Sequence, residues 1–409
     1  MSYRRLSCSS FPNVLSFDGE EEIERVDDRD ALSSRHRRSS LETTLKSSSV
    51  VSLPPLAPTP SKTTGGATSK ALKRWKGNVL SAVKPINEAS EKRKFFHDKT
   101  SSYNPQFVYR KSLPLYVHER YADASSELLA EAVCVLRIVL RKYGSFEKYE
   151  ERNGGRILSD AECLQYARKY LRAQGISEVR VVVSRDLVPH AHMTHDKRGP
   201  ILEMKSGVLR EHRFEGLLNH EIGTHYIRAR NEKFQPWFKS GRKLYNLLDK
   251  NPTEEGLASL HGVLHQTRGQ YLFRSALLYY AASKAQTTSF LHLFHNLSQY
   301  VSSPDARWNY CVRVKRGIRD TSKPGCFCKD QVYFKGALQI LKYRHEIDFN
   351  GLFMGKVAWQ DVARLKEVSR KRKIMLPAFI RDERKYKEHL EDIMTTNEIT
   401  EEKLLQLDL

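Results

Sequence analysis

Residues 220–225 read HEIGTH, so two histidines and a glutamate lie within one short stretch of the chain. This stretch belongs to a longer segment, 211–230, whose apolar side chains recur at helical spacing: Phe214, Leu217, Leu218, Ile222 and Ile227. Three ionisable side chains on such a buried helix would cost several kcal/mol unless they are paired or bound to a metal. The pattern therefore predicts a metal centre on a buried helix rather than an ordinary core helix.

The two histidines are one residue further apart than is usual in a metallopeptidase helix. The usual spacing is i to i+4, which brings both imidazoles to one face of an α-helix. His220 and His225 are spaced i to i+5, which on an ideal α-helix turns them about 140° apart. A one-residue π-bulge would realign them, and Gly223 between them lowers the cost of that distortion. The sequence thus predicts a zinc peptidase helix that contains a π-bulge.

A catalytic zinc ion needs a third protein ligand and one position left for water. The segment 251–258, NPTEEGLA, has the features of a helix start and places Glu254 and Glu255 in its first turn. Glu254 faces the side of His261, whereas Glu255 shares its face with small residues that would allow close approach to the motif segment: Ala258, Ser259 and Gly262. This favours Glu255 and leaves Glu254 open, because the helix dipole alone favours acidic residues at a helix start.

Two regions of the chain differ in composition. Residues 1–100 are rich in serine, proline and, from about residue 62, lysine and arginine; they bury too little apolar surface to offset the entropy of ordering, which predicts a disordered tail. Residues 101–409 have the pattern of a folded catalytic domain, with short strands at 179–184 and 201–205. Beyond residue 205 the predicted elements are helices: 211–230, 253–266, 270–286, 288–301, 304–316, 329–344, 359–371 and 383–394. The predicted class is α+β, mostly helical, with a small sheet ahead of the motif helix.

Lysine and arginine number 69 against 48 aspartates and glutamates, a formal net charge of +21. Such an excess favours acidic partners. We do not expect nucleic acid among them, because no signature of a nucleic-acid-binding fold is present. The six cysteines are too few and scattered for a secreted disulfide framework, and neither a signal peptide nor an apolar run of roughly 18 residues is visible. We therefore expect a soluble, cytosolic or nuclear protein without membrane contact.

Three separated blocks of the sequence resemble, in order, those of the microtubule-associated tyrosine carboxypeptidases. They are 219–226 (NHEIGTHY), 251–260 (NPTEEGLASL) and 324–333 (PGCFCKDQVY). The resemblance covers about residues 105–400, and within the family it is greater to the second, less characterised paralogue. One departure is Cys328, where the family pattern favours a small polar residue such as serine.

The resemblance implies removal of the C-terminal tyrosine of α-tubulin, on microtubules in the cytoplasm. It implies one zinc ion per chain, bound by His220, His225 and Glu255, with Glu221 as the catalyst, and it thereby selects Glu255 over Glu254. Bound zinc lowers the pKa of a water molecule and polarises the scissile carbonyl. Glu221 would take the water proton and pass it to the leaving amine. The basic charge of the chain suits the strongly acidic tails of tubulin.

A carboxypeptidase also needs a cation for the terminal carboxylate of its substrate, and the planar fork of arginine suits that role best. Lys329 and Tyr333 lie in the third matching block and Arg316 lies shortly before it, so we expect these three to contact the substrate. Tyr310 and Tyr333 are candidate oxyanion donors. A solvated basic helix face would explain any single one of these cations equally well.

Two other functions fit the same residues. The site could serve a metallopeptidase that cuts internal bonds or acts on other acidic tails, or the chain could be a basic microtubule-binding protein without catalysis. A second histidine cluster, at His190, His192 and His195, has no accompanying carboxylate and is a weak candidate for another metal site.

Overall fold

The computed structural model describes residues 82–98, 102–110, 115–185, 187, 189–239, 241–264, 269–371 and 374–409. The described part is mostly helical with one small sheet, which confirms the predicted α+β class. None of its helices is both long and apolar enough to cross a lipid bilayer. The α-helices are α1 Glu88–His97, α2 Leu115–Arg120, α3 Leu129–Tyr143, α4 Phe146–Asn153, α5 Asp160–Ala173, α6 Glu211–Leu218, α7 Ile227–Glu232, α8 Gly241–Leu244, α9 Asn251–His261, α10 Phe273–Ala285, α11 Phe290–Asn296, α12 Pro304–Val314, α13 Gln331–Lys342, α14 Phe349–Leu352, α15 Val362–Leu365, α16 Glu383–Thr396 and α17 Glu401–Gln406.

A three-stranded sheet lies ahead of the motif segment, as the sequence predicts. β1 (Arg180–Ser184) pairs in parallel with β3 (Gly199–Lys205), and β2 (Ala191–Asp196) pairs antiparallel with β3. The strand order is therefore β1-β3-β2. β2 was not predicted, because its residues, AHMTHD, are mostly polar and carry no β-branched run. A short turn joins β3 to α6, so the sheet fixes where the motif segment begins.

Close helix packing at the centre of the fold places the helix that carries the two glutamates. α10 is buried along almost its whole length and packs against α3 and α13. α13 packs in turn on α9, where two glycines face one another. A Cβ atom at Gly256 would lie 2.3 Å from the carbonyl carbon of Gly336, and one at Gly336 would lie 2.0 Å from the Pro252 oxygen. No side chain fits between these two backbones, and this contact holds α9 in place.

The folded region begins earlier than the predicted boundary between residues 100 and 101. Helix α1 lies within the segment predicted to be a disordered tail. Its Phe95 is buried and packs edge-to-face against Phe290 and Phe294 of α11. Burial of this aromatic side chain offsets the cost of ordering a segment that is otherwise polar. The rest of the predicted tail, residues 1–81, lies outside the described residues.

The helix predicted at 359–371 is much shorter in the structure. The chain forms a 3₁₀ turn at Trp359–Asp361 and then α15, which ends at Leu365. The buried carboxylate of Asp361 accepts hydrogen bonds from the Leu248 amide, at 2.8 Å, and from the Arg364 guanidinium, at 2.6 Å. Side-chain bonds of this kind compete with a regular helix, and the apolar periodicity of a sequence does not reveal them.

Candidate metal centre

The motif segment is a single helical stretch that changes its winding at the two histidines. α6 leads into a π-helix at Asn219–Tyr226, and α7 follows it. All eight residues of the π-helix are buried. This confirms the distortion expected from the i to i+5 spacing, since the wider turn brings His220 and His225 to the same side. Their Nε2 atoms lie 3.1 Å apart.

Close packing requires glycine at position 223. A Cβ atom there would lie 2.6 Å from Cε1 of Phe379 and 3.0 Å from the hydroxyl oxygen of Tyr170. The same Tyr170 hydroxyl donates a hydrogen bond to the Asn219 side chain, at 2.8 Å. The glycine therefore lets Phe379 and Tyr170 lie against the π-helix where any other residue would push them away.

A chain of hydrogen bonds behind the histidines ties the π-helix to α9 and α16. The Thr224 hydroxyl donates to the main-chain oxygen of Asn219, at 2.9 Å. Its one proton is then used, so the contact of 2.6 Å to His261 Nδ1 has the imidazole as donor. His261 Nε2 consequently accepts from the Tyr386 hydroxyl, at 2.8 Å. These bonds satisfy polar groups that would otherwise be buried unpaired.

The outward nitrogen of each imidazole is fixed as a donor. His220 Nδ1 lies 2.8 Å from the main-chain oxygen of Ala258, and His225 Nδ1 lies 2.6 Å from Oε1 of Glu254. A carbonyl and a carboxylate can only accept, so both Nδ1 atoms carry the proton. In the neutral form of each ring, Nε2 therefore presents a lone pair, and the two Nε2 atoms face each other at 3.1 Å. Two such lone pairs repel unless a cation lies between them.

Glu255 completes a buried group of three ligands. Its Oε2 lies 3.6 Å from His225 Nε2, and one ligand atom from each of His220, His225 and Glu255 lies within 4.8 Å of the others. Two nitrogens bound to one tetrahedral zinc ion at about 2.0–2.1 Å are separated by roughly 3.3 Å, close to the distance between the two Nε2 atoms. Two imidazoles and one carboxylate are also a donor set typical of catalytic zinc. The residues present thus fit a zinc ion.

The structure gives Glu254 a different position from that of Glu255. Its carboxylate is buried, accepts the proton of His225 Nδ1, forms an ion pair with Arg228 and lies 2.9 Å from Nζ of Lys356. Burial opposes ionisation of Glu254, but the charges of Lys356 and Arg228 hold its pKa well below its ordinary value. Glu254 therefore orients His225 from behind, and Glu255 is the glutamate on the ligand side.

Burial and the neighbouring imidazole of His225 hold the pKa of His220 well below its ordinary value. A neutral imidazole is the form that binds metals. Glu221, next to His220 in the π-helix, is 2% exposed. A carboxylate with so little access to bulk water beside the ligands is suited to handling protons in a dry site.

Lys329, Tyr333 and Arg316, the expected substrate contacts, lie near one another and are all buried. Lys329 lies in a 3₁₀ turn at Cys328–Asp330, and Tyr333 lies in the first turn of α13. Burial opposes ionisation of Asp330, but Arg313, Arg316 and Lys329 together hold its pKa below its ordinary value. Two of the expected contacts, Arg316 and Lys329, are thus part of a cationic group around one buried carboxylate. The ring of Tyr333 lies 6.0 Å from the guanidinium of Arg313, the third cation of that group.

Two residues behind the ligands, Arg228 and Lys356, were not predicted from the sequence. Arg228 is fully buried, and its guanidinium also donates to the main-chain oxygens of Leu352 and Val357, at 3.1 and 2.7 Å. The sequence offers one local signal for the role of Arg228, namely that an arginine follows His225 by one helical turn within an apolar segment. Lys356 lies about a hundred residues further along the chain and carries no signal of its own.

The second histidine cluster does not form a metal-binding group. His190 is buried beside α6, whereas His192 and His195 lie on β2, and His192 faces Glu203 at 3.6 Å. Among the described residues one further set, His345, Glu391 and Glu401, has ligand atoms close together. These side chains are exposed, and Arg344 pairs with both glutamates, so their charges are already compensated.

The family model and the similar proteins found by comparison point to the same family. The family model described as microtubule-associated tyrosine carboxypeptidase matches residues 104–401. The putative tyrosine carboxypeptidase MATCAP2 of mouse is 45% identical over 332 residues, which cover 80% of this chain and 64% of that protein. Microtubule-associated tyrosine carboxypeptidase 1 of human is 43% identical over 332 residues, covering 80% of this chain and 70% of that protein.

The human putative tyrosine carboxypeptidase MATCAP2 is 40% identical over 331 residues, which cover 80% of this chain and 54% of that protein. The chain thus aligns with less than two thirds of the length of either MATCAP2 protein. The sequence identities to the MATCAP2 proteins and to microtubule-associated tyrosine carboxypeptidase 1 overlap. The greater resemblance of this chain to the second paralogue therefore stays a prediction.

Proposed function

The chain belongs to the family of microtubule-associated tyrosine carboxypeptidases, and we propose that it is a zinc-dependent carboxypeptidase that removes the C-terminal tyrosine of α-tubulin. The observation that carries the metal chemistry is the pair of facing Nε2 lone pairs, 3.1 Å apart, with Glu255 beside them. We infer the α-tubulin tail as the substrate from the family membership and from the excess of positive charge on the chain, which suits an acidic tail. The proposed place of action is the microtubule, in the cytoplasm.

In this proposal His220, His225 and Glu255 hold one zinc ion per chain. A zinc ion held there would supply Lewis-acid activation of water and of the scissile carbonyl. Glu221 would accept the proton of the attacking water and deliver it to the leaving amine of tyrosine. Glu254 keeps His225 in the tautomer that presents Nε2, supported by the buried charges of Arg228 and Lys356.

Substrate contacts are proposed for Lys329, Tyr333 and Arg316. The cations of Lys329 and Arg316 would attract the acidic residues of the tail, and the family resemblance extends over Lys329 and Tyr333. Tyr310 has a buried hydroxyl with no hydrogen-bond partner among the described residues, and burial raises its pKa to about 12. It would therefore act only as a neutral donor, for example to an oxygen that gains negative charge.

The test is release of free tyrosine from a synthetic α-tubulin tail peptide by the purified full chain, measured by mass spectrometry. We expect release that stops when a chelator removes the metal and returns with added zinc. The matched control is the same peptide with an amidated C-terminus, which a carboxypeptidase should leave intact.

Other outcomes point to the other functions. Cleavage of the amidated peptide, or cleavage within the tail, would show a peptidase that cuts internal bonds. Sedimentation with microtubules without any release of tyrosine would favour a non-catalytic microtubule-binding protein. Cleavage that persists after complete zinc removal would contradict the metal mechanism.

A further inference from the structure

A pair of thiols lies at the start of the turn that leads into α13. The cysteines of the described part of the chain are all free thiols: Cys134, Cys163, Cys311, Cys326 and Cys328. Cys326 and Cys328 are separated by one residue, and Cys328 begins the 3₁₀ turn that contains Lys329. The proposed function uses neither of these two thiols. A disulfide between them would need no movement of distant parts of the chain.

The backbone holds both thiols on one side of the chain. Phe327 between them has φ −117° and ψ 89°, which is close to an extended conformation, and in an extended chain side chains two residues apart point the same way. Hydrogen bonds hold this stretch in place. The Phe327 amide donates to the main-chain oxygen of Val314, at 2.7 Å, and the Cys328 amide donates to that of Tyr121, at 2.9 Å. The fold therefore fixes the direction in which each thiol points.

Both sulfur atoms contact the same short piece of backbone. Sγ of Cys326 lies 3.4 Å from the main-chain oxygen of Ala122, and Sγ of Cys328 lies 3.2 Å from that of Asp123. Sγ of Cys326 also lies 3.0 Å from Oε1 of Gln286. The two thiols thus lie side by side against residues that are about two hundred positions away in the sequence.

The two thiols differ in their access to solvent and in their acidity. Cys326 is buried, whereas Cys328 is partly exposed. A hydrogen bond from Cys326 lowers the pKa of Cys328. The same hydrogen bond, together with burial, raises the pKa of Cys326. Because the thiolate is the reactive form of cysteine, Cys328 is the more nucleophilic of the two and the one that a small oxidant can reach.

A buried cation supports the second thiol. Nζ of Lys315 donates to three main-chain oxygens at 2.7–3.1 Å, those of Ala285, Thr288 and Lys323. Burial lowers the pKa of Lys315 to about 8, which leaves most of its amino groups charged at neutral pH. This charge opposes the effects that raise the pKa of Cys326. Once Cys328 has reacted and is no longer a thiolate acceptor, the charge of Lys315 favours the thiolate of Cys326.

We propose that Cys326 and Cys328 form a peroxide-sensitive dithiol, a modification site separate from the metal centre. The thiolate of Cys328 attacks one oxygen of a hydroperoxide, the O–O bond breaks, and the other oxygen leaves as water or an alcohol with the proton that Cys328 gave up. Cys326 then attacks the sulfur of the sulfenic acid formed at Cys328. The S–S bond forms, the S–O bond breaks, and the hydroxyl group leaves as water with the proton of Cys326. The peroxide gains the two electrons that the thiols lose.

The product is suited to a reversible modification. A disulfide that closes over a single residue is constrained by the backbone, and constrained disulfides are the ones that thiol reductants open readily. Closure also removes both thiol hydrogens, so the contacts to Ala122 and Asp123 lose their donors. Since the proposed function uses neither thiol, the dithiol and the peptidase activity can succeed or fail independently.

The test treats the reduced, purified full chain with hydrogen peroxide, blocks the remaining thiols with iodoacetamide and analyses its peptides by mass spectrometry. We expect the peptide that contains both positions to lose two hydrogen atoms and to take up no alkyl group. This disulfide should form about 10-fold or more faster than Cys134, which is also partly exposed, is oxidised. Dithiothreitol should restore alkylation at both positions. In urea the lead over Cys134 should vanish, because unfolding removes the hydrogen bond that favours the thiolate of Cys328.

Two variants separate the roles of the sulfurs. Cys328→Ser should leave Cys326 reduced, since the remaining thiol is buried. Cys326→Ser should leave Cys328 without a partner, so that it is oxidised further to the sulfinic acid, seen as two added oxygen atoms. Cys134→Ser is the matched control and should form the disulfide at an unchanged rate. Thermal unfolding of each variant verifies that it is folded.

Several results would overturn the proposal. They are full alkylation of Cys326 and Cys328 at a peroxide dose that oxidises Cys134, a disulfide from either position to another cysteine, and a lead over Cys134 that persists in urea. The last of these would show that nearness in the sequence, and not the fold, makes the pair reactive. A Cys326→Ser variant whose Cys328 stays reduced would contradict the attacking role of Cys328.

Discussion

Each histidine of the candidate centre is oriented by a hydrogen bond on the side of the ring away from the metal position, but the two bonds differ in kind. His220 donates to the main-chain oxygen of Ala258, which no substitution of a side chain removes. His225 donates to the carboxylate of Glu254, which also balances Arg228 and Lys356. A change at Glu254 is therefore expected to affect both metal affinity and the stability of the fold.

The variant Glu254→Gln should weaken zinc binding about 10- to 100-fold, because the amide oxygen is a poorer acceptor for His225 Nδ1. It should also lower the free energy of unfolding by about 3–5 kcal/mol, since Arg228 and Lys356 lose their buried counter-charge. Zinc affinity is measured by competition with a chromogenic chelator, and stability by urea unfolding of the metal-free chain. Glu215→Gln, on the exposed face of α6, is the matched control. An unchanged zinc affinity would contradict the orienting role.

Glu221→Gln should separate catalysis from metal binding. Loss of a general base at this position is expected to lower kcat for tyrosine release about 10²- to 10⁴-fold. The zinc content, measured by atomic absorption, should stay at one per chain because the ligands are untouched. Glu215→Gln again serves as the control and should keep full activity. Loss of zinc together with activity would place Glu221 among the ligands instead.

Residue types and spacing predict His220, His225 and one of two glutamates as ligands, and they favour Glu255 without excluding Glu254. Adjacent residues on a helix point about 100° apart, so either glutamate could face the histidines until the orientation of α9 is known. That orientation is set by the contact between Gly256 and Gly336, which are far apart in sequence.

At the scale of elements, the π-helix is predicted by the local sequence and is also stabilised by tertiary packing. The i to i+5 spacing alone required extra winding, which is why the distortion could be predicted. The residues that pack against the π-helix or bond to its hydrogen-bond chain could not be predicted from the local sequence. Phe379 and Tyr386 come from the C-terminal part of the chain, and Tyr170 comes from α5. The winding is thus a local property, and its rigidity comes from residues distant in sequence.

The variant Gly223→Ala should lower the free energy of unfolding by about 1–3 kcal/mol, as expected when a methyl group is forced into a packed site. The added Cβ would meet the ring of Phe379 at 2.6 Å. Phe379→Leu removes part of that ring, so the double variant should lose less stability than the two single changes added together. Urea unfolding of all four proteins measures this coupling. Additive losses would show that the glycine is needed for winding and not for packing.

Gly256→Ala should be more damaging, because its Cβ would meet backbone atoms of Gly336 at 2.3 Å and a backbone cannot turn aside as a side chain does. We expect a loss of about 3 kcal/mol or more, together with weaker zinc binding, since Glu255 lies next to the displaced contact. Urea unfolding and chelator competition measure the two effects. Normal zinc affinity in a destabilised variant would show that the α9–α13 contact does not position the ligand.

At the scale of the whole molecule, the net charge of +21 concerns the rate of encounter with substrate rather than the fold. Most lysines and arginines follow residue 81, so the charge belongs mainly to the region that holds the metal centre and only in smaller part to the predicted tail. The basic stretch 62–99 has ten basic and three acidic residues, a net charge of +7, so it accounts for about a third of the total. The distribution instead suggests that the catalytic region itself attracts an acidic peptide.

If long-range attraction brings the tail to the site, kcat/KM for an α-tubulin tail peptide should fall about 10-fold or more as ionic strength rises from about 0.02 to 0.3 M. The fall should come from KM, with kcat nearly constant, because the buried metal centre is little screened. The control is a peptide with the same C-terminal tyrosine and its glutamates replaced by glutamine. Its kcat/KM should start lower and change little with salt, since it has no charge to attract. Equal values for the two peptides at low salt would mean that recognition depends on the C-terminal residue alone.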